Sequence, residues 1–462
     1  MIRIHNSLTG RKELLEPLTP GHVRMYVCGI TVYDYLHLGH ARMLIVFDMV
    51  RRYLQHRGLK VTFVQNITDI DDKIIHRAAQ NGEPIYALTE RFIRALHEDR
   101  EKLGVAAPDH EPRATQYLPE IIALTTKLIA RGYAYLASNG DVMYAVSRFP
   151  DYGRLSGMSL ADMQAGIRVD VVEAKRDPLD FVLWKSAKQG EPAWDSPWGP
   201  GRPGWHIECS AMSTALLGEH FDVHGGGLDL KFPHHENEIA QSCAASGQRF
   251  ANLWMHNGFV NVGCEKMSKS LGNFFTLREV LSDLRDPEVM RYCFLSSHYR
   301  SPINYSVELL SQAQAALGRL YTALRDLPRG QAVEHSGHTT RFHEAMEDDF
   351  NAPEAIAVLQ GVARAINSAR AAQDAATAVR LGEELRSLAR VLGLAQLEPA
   401  EWFRCSRRAD IAAVKVESLI AARSQARHVR NWAEADRIRA ELAAAGVVLE
   451  DKPGEKTVWR RA

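Results

Sequence analysis

Residues 23–70 read "VRMYVCGITVYDYLHLGHARMLIVFDMVRRYLQHRGLKVTFVQNITDI", and three patterns follow one another within them. VRMYVCG alternates and is rich in β-forming residues, as a strand requires. After a loop, HARMLIVFDMVRRYLQHRG carries apolar residues at helical spacing, with Gly58 as its stop. KVTFVQNITDID then reads as a second buried strand. Strand, helix, strand at this length is a βαβ unit, so roughly the first 100 residues begin a parallel sheet of the doubly wound kind. Ligands of such sheets sit beyond the carboxyl ends of the strands, which puts Cys28 and the loop after it at the expected site.

The chain has 462 residues, too many for one typical core. Residues 75–135 have helical patterns, whereas 140–204 are rich in Pro, Gly and Trp (KQGEPAWDSPWGPGRPGW) and read as an inserted module. FDVHGGG and NLWMHNGFVNV resume strand character, as the second half of the sheet should. From about residue 306 to about 395 the chain is Ala/Leu/Arg-rich and helical, a bundle. After EPAEWFRCSRRAD come two more helical patterns and a short β-like tail, GVVLEDKPGEKTVWRR.

Lys and Arg number 56, and so do Asp and Glu, so net charge alone argues for no polyanionic partner. The C-terminal residues 404–462 differ, with 13 basic residues against 8 acidic ones, and form a local basic patch. MIRIHNSLTG does not read as a signal peptide, and no apolar run approaches the roughly 20 residues that cross a bilayer, which predicts a cytoplasmic protein. The six cysteines (Cys28, Cys209, Cys243, Cys264, Cys293 and Cys405) lack the paired spacing of a zinc ribbon or a disulfide framework. Most are expected as buried thiols.

Three motifs carry chemistry. KFPHHENEIAQSC, residues 231–243, puts Pro233 where a first helical position would suit it and acidic residues at the positive end of the helix dipole. Capping does not account for the histidines. His234 and Glu238 are four apart and His235 and Glu238 three apart, so either pair could grip a metal, and spacing does not choose between them. HLGH, residues 37–40, lies at the turn from first strand to first helix. There the helix N-terminus favours a phosphate, Gly39 lets a flat base approach, and two imidazoles can donate to developing charge. KMSKS, residues 266–270, follows a strand and precedes LGNFFT. Its two lysines could neutralise a pyrophosphate leaving group.

With HLGH and KMSKS in this order on a split βαβ sheet, the chain resembles the class I aminoacyl-tRNA synthetases, and in particular the cysteinyl-tRNA synthetase family. The similarity runs through MYVCGITVYDYLHLGHAR, NITDIDDKII, EPRAT, KRDPLDFVLWK, PGWHIECSAM, HGGGLDLKFPHHENEIAQ, EKMSKSLGNFFT and SSHYRSPINYS to VLED near the end. It implies an α/β fold: a Rossmann-type doubly wound parallel-sheet catalytic domain with an inserted module, then an α-helical bundle and a small C-terminal α/β domain. The expected division is 1–110 for the first half of the catalytic domain, 111–204 for the inserted connective module and 205–275 for the second half with the lysine loop. A stem-contact region over 276–320, a tRNA-binding bundle over 321–400 and an anticodon-binding domain over 401–462 follow.

The resemblance implies one Zn2+ per subunit held by Cys28, Cys209, His234 and Glu238, selecting His234 over His235. Serine differs from cysteine by one atom, so a pocket that reads shape alone would discriminate modestly. A Lewis-acidic zinc lowers the thiol's pKa and bonds the thiolate, while a serine hydroxyl is a poor ligand, so no editing domain is expected. An open position on a mixed Cys/His/Glu site suits that task better than a closed Cys₄ site. The implied reaction has two steps: L-cysteine attacks the α-phosphate of Mg2+-ATP, and the adenylate then passes to the terminal ribose of the tRNA for cysteine. ATP contacts are implied for Thr31, His37, Gly39, His40, Lys266 and Lys269, of which His37, His40, Lys266 and Lys269 are the catalytic set. Trp205, His224 and Asp229 lie in motifs implied to border metal and substrate. Arg427, Trp432, Asp436 and Asp451 are implied to read the anticodon, with Trp432 offering a stacking face.

Departures from the family pattern are Phe259 and Cys264 in FVNVGCEKMSKS and the ending DKPGEKTVWRRA. Two other readings compete. A ligase delivering activated cysteine to an amino sugar would lack the basic C-terminal region, and an inactive RNA-binding relative would not need His37, His40, Lys266, Lys269 and the four metal positions. The family leads to the expectation of a monomer without membrane contact.

Overall fold

A computed structural model describes residues 1–159, 163, 174–262, 265–266, 275–330, 336–404, 413–450 and 457–461. The βαβ unit read at residues 23–70 is there: strand β1 (His22–Thr31), helix α1 (Leu38–His56) and strand β2 (Lys60–Thr68). Helix α2 (Trp205–Leu217), strand β3 (Phe221–Gly227), helix α3 (Glu236–Ser246) and strand β4 (Ala251–Asn257) complete the sheet half a chain later. The order β4-β3-β1-β2 is wholly parallel. The chain leaves β1 toward one side for β2 and returns on the other side for β3, so the strand order switches direction between β1 and β3.

Pairing between those two strands runs from Met25↔Val223 to Val27↔Gly225 and stops. Beyond Val27 they part, and a crevice opens at their carboxyl ends. At the same point the register of β1 against β2 slips by one residue between Val27 and Ile30. Such a bulge bends a strand and re-aims its side chains, and the side chain at this position is Cys28. Gly29 is required next to it, because a Cβ there would lie 1.6 Å from the Asn66 carbonyl oxygen.

The core under the crevice joins Tyr26, Val64, Ile70, Met212, Phe221, Phe250 and Trp254, all buried. Each such side chain contributes roughly 1.5–3 kcal/mol on leaving water. Between β2 and α2 the chain forms helices Asp72–Asn81, Ile85–Lys102 and Leu118–Ala130. A four-stranded antiparallel sheet follows, Ala134–Leu136, Val142–Tyr144, Phe181–Ser186 and Gly201–Pro203.

The chain divides into two compact units. The first comprises Met1–Leu277, Ser297–Tyr305 and His343–Ala355, and contains everything above. The second comprises Arg278–Ser296, Ser306–Phe342 and Ile356–Ala462. In it lie long helices such as Val307–Leu324 and Ala375–Val391, and Tyr321 on the first of them stacks its ring on Trp402 at 4.5 Å and donates its hydroxyl to Glu288. Its last part pairs helices Ala413–His428 and Trp432–Ala444 with a hairpin, Val447–Glu450 and Val458–Arg461, over a small core of Val416, Ile420, Ile438, Leu442 and Trp459. Among the described residues no helix is long and apolar enough to cross a membrane.

Replacing Gly29 by Ala is expected to lower stability by about 3 kcal/mol or more, since two backbone strands must separate to admit one methyl group. A thermal-unfolding midpoint equal to that of the parent protein would contradict the close approach of Gly29 to Asn66.

Candidate active site and metal centre

Cys28 from β1, Cys209 from α2 and Glu238 from α3 meet in the crevice with His234, and one donor atom from each lies within 4.8 Å of the others. All four are buried. The Cys28 thiol donates to Glu238 Oε1 at 3.3 Å, and His234 Nε2 lies 3.1 Å from the same oxygen. The other carboxylate oxygen, Oε2, is 2.9 Å from His224 Nε2.

The helix end carrying this cluster is not capped as its sequence suggests. Lys231–His235 is a π-type turn broken at Phe232 (φ −142°, ψ 134°), the Phe232–Pro233 bond is cis, and the regular helix begins at Glu236. His234, His235, Glu236, Asn237 and Glu238 are all buried rather than solvated. Glu236 accepts from the main-chain N–H groups of Gly153 and Ser156, and Asn237 accepts from the Tyr152 hydroxyl. The polar end is therefore clamped from outside by the segment that follows strand Val142–Tyr144.

Burial without solvent forces the charges of the cluster to be shared. Burial works against a charged Glu238, yet the neighbouring His224 and His234 hold its carboxyl well below the ordinary carboxylate range. Burial likewise opposes a charged His234, but Glu238 and Cys209 push it up to about 10. Cys209 falls to about 6 against its own burial, through a hydrogen bond with Cys28 and the nearby His234. Cys28 is raised by burial and by Cys209. Three neighbouring histidines are held neutral: burial, then His234, lowers His206, and burial, then His224, lowers both His235 and His256.

The donor set fits a tetrahedral metal. Zinc bonds of about 2.0–2.3 Å space neighbouring ligands roughly 3.3–3.8 Å apart, close to the 3.3 and 3.1 Å separations around Glu238 Oε1. A second group with donors in the same reach, Cys28, His224, His235 and Glu238, shares two members with the first. His235 Nε2 is farther from Glu238, at 3.9 Å, and its Nδ1 bonds His256 at 2.8 Å, which in turn bonds Ser7.

Several residues around the metal candidates were not singled out in the sequence. His206 Nδ1 lies 2.9 Å from His234 Nδ1, the arrangement that orients a ligating imidazole. Asn66 Oδ1 accepts from the Gly29 N–H at 2.8 Å and from the Cys209 thiol at 3.6 Å. The position of His206 within PGWHIECSAM and of Asn66 within NITDIDDKII was the available signal. Which atoms they reach depends on how the strands lie side by side.

The crevice continues into a cavity of about 260 Å³ lined by Cys28, Thr31, His37, Gly39, His40, Trp205, Asp229 and the segment Asn257–Val260. His37 caps α1. Its Nδ1 accepts from the N–H groups of Gly39 and His40 at 3.0 and 3.3 Å, a role that leaves the ring proton on Nε2. The two imidazoles stack at 3.6 Å. Trp205 is half-exposed at the cavity wall and stacks on His234 at 4.3 Å, so one ring borders both the metal candidates and the cavity. His224 is not at the cavity wall but behind Glu238, stacked on Trp254 at 4.4 Å. Asp229 is exposed.

Lys266 lies on the short strand Glu265–Lys266, antiparallel to Val260–Val262. Lys269, Cys264 and Asp451 fall outside the described residues. Arg427 and Asp436 are exposed on the last two helices, and Trp432, first residue of its helix, is 59% exposed. That exposure leaves its ring available for stacking, which a helix-to-helix anchor would not.

Residues 14–315 match the family model described as the catalytic domain of class I (C) tRNA synthetases, residues 341–396 the DALR domain, and residues 413–460 the cysteinyl-tRNA ligase anticodon binding domain. The cysteine–tRNA ligases of Alkalilimnicola ehrlichii and Methylococcus capsulatus are each 62% identical to the chain, and that of Halorhodospira halophila 60%, over the full length of both partners. A Mycobacterium tuberculosis methionyl-tRNA synthetase with bound methionyl-adenylate superposes with a TM-score of 0.60 at 16% identity, over 80% of this chain and 89% of that one, a likeness of fold.

In metal-free protein the Cys209 value lies below the ordinary thiol value of 9.0, so its stabilising contribution is present above pH 9.0 and is lost as pH falls through about 6. Ultraviolet thiolate absorbance should fade with a midpoint near pH 6, and Cys209→Ser should remove that transition. A midpoint near 9.0 would mean that His234 and Cys28 do not act on the thiol.

Proposed function

Because the chain belongs to the cysteine–tRNA ligase family of class I aminoacyl-tRNA synthetases, we propose that it joins L-cysteine to the tRNA for cysteine, forming cysteinyl-adenylate from ATP and then esterifying the 3′-terminal ribose. One observation carries this reading. Two cysteines, a histidine and a glutamate converge at the switch point of the parallel sheet, and the cavity beside them is bordered by the His37–His40 turn.

Cys28, Cys209, His234 and Glu238 hold Zn2+, with His206 and His224 orienting His234 and Glu238. When bound, zinc supplies a Lewis acid that lowers the pKa of the substrate thiol and bonds a thiolate far better than a hydroxyl. Trp205 walls the cysteine pocket and keeps water from the sulfur. His37 and His40 donate to the phosphates of Mg2+-ATP, Thr31 and Gly39 border the nucleotide, and Asp229 faces it from across the cleft. Lys266 and Lys269 neutralise the departing pyrophosphate. Positioning and charge stabilisation of this kind account for most of the acceleration of adenylate formation. Arg427, Trp432, Asp436 and Asp451 contact the splayed anticodon bases. Residues 276–320 approach the acceptor stem, and 321–400 form the tRNA-binding bundle. The protein acts as a cytoplasmic monomer.

ATP–pyrophosphate exchange by zinc-loaded protein should require cysteine, be negligible with serine, and be lost on chelation and regained with zinc. Equal exchange with serine would sink the role given to the metal. Trp432→Ala should leave exchange unchanged while weakening tRNA binding by about 1–3 kcal/mol, the value of one stacked base. Unaltered tRNA affinity would remove Trp432 from the recognition surface.

A further inference from the structure

Arg42 is fully buried on α1, two residues after the His37–His40 turn. Its guanidinium donates to five main-chain carbonyls: Gly258 at 3.0 Å, Phe259 at 2.7 Å, His298 at 3.2 Å, Tyr299 at 3.4 Å and Ser301 at 2.5 Å. Carbonyl dipoles converging on one cation offset its desolvation, and the rigid fork of arginine is what lets one side chain reach two separate segments. The segments also bond each other: the Gly258 N–H donates to Tyr299 and the Ile303 N–H to Phe259. Gly258 has no room for a side chain, since a Cβ would lie 2.5 Å from the Ser301 oxygen.

Gly258, Phe259 and Val260 form one wall of the cavity, and His37, Gly39 and His40 form another. A single side chain thus ties the helix bearing the histidine turn to the backbone of the facing wall. The strand leaving that wall, Val260–Val262, pairs with Ile303–Tyr305 on one side and with Glu265–Lys266 on the other. We infer that Arg42 is a positioning residue for the nucleotide: it sets the separation between the histidine turn and the Gly258–Val260 wall. This rests on the proposed adenylate-forming activity. A shift of about 1 Å between groups that must both meet one substrate costs up to roughly 100-fold in rate, so the separation matters to catalysis as well as to folding.

Arg42→Lys keeps the charge but has only three donors on a single nitrogen and cannot span both segments. Gly258→Ala displaces the same wall from its other face. Arg42→Ala leaves a hole that added guanidinium can fill. The readouts are thermal unfolding and pyrophosphate exchange with ATP and cysteine varied separately. On protein folded at the assay temperature, Arg42→Lys and Gly258→Ala should each raise KM for ATP and lower kcat by about 10- to 100-fold in kcat/KM, with KM for cysteine within roughly twofold. Guanidinium should restore part of the Arg42→Ala loss. The assignment is overturned if folded Arg42→Lys and Gly258→Ala keep kcat and KM for ATP, or if both substrates lose affinity equally in step with the melting temperature. A parent protein without any exchange would overturn the functional reading and this one with it, whereas an active parent with unaffected variants overturns this one alone.

Discussion

Glu238 has no contact with solvent, and a carboxylate in that position persists only when its oxygens are matched by donors. The donors arrive from separate parts of the chain: Cys28 from β1, His224 from β3 and His234 from the turn before α3. Cys209 from α2 then shares the charge of His234. One buried acid therefore ties together the strands of the switch point and the two helices around it. Strand register, the bulge at Cys28 and Gly29, and the clamp on the helix end by Gly153 and Ser156 all serve to bring those donors to it.

The histidines around this acid divide into two kinds by their neighbours alone. His234 touches both a carboxylate and a thiol and is held charged, while burial holds His206 neutral beside His234 and holds His235 and His256 neutral beside His224. A neutral His206 can accept the Nδ1 proton of His234, which fixes how His234 presents Nε2 to Glu238 and, by proposal, to a metal. A site with one charged imidazole and a thiol near neutrality is suited to exchanging protons for a divalent cation. In the overlapping donor group, His235 is tied instead to His256, which bonds Ser7, and neither His235 nor His224 lines the cavity that Trp205 borders.

Glu238 and Arg42, both fully buried in the first unit, are accommodated by two different routes. Glu238 is met by side chains that can themselves gain or lose protons, so its surroundings respond to pH and to metal. Arg42 is met by carbonyls, which cannot titrate, so the joint between α1 and the Gly258–Val260 wall is independent of pH in the working range. The first arrangement suits chemistry and the second suits a fixed scaffold.

The sequence by itself determined the βαβ unit, the return of the sheet at FDVHGGG and NLWMHNG, the helical C-terminal half and the family, because these rest on local periodicity, on caps and turns within a few residues, and on motifs that keep their order along the chain. It also singled out Cys28, Cys209, His234 and Glu238, through resemblance. Spacing left His234 and His235 equivalent, and a rule that reads Pro233 as a helix start missed the broken π-type turn at Phe232. It gave no sign that this helix end is buried, that His206 backs His234, or that Arg42 holds two distant segments. Those facts were decided by tertiary structure alone. Burial and proton sharing depend on which groups from remote segments come within about 3 Å, and hydrogen bonds of that length are set by strand register and helix packing rather than by neighbours in sequence.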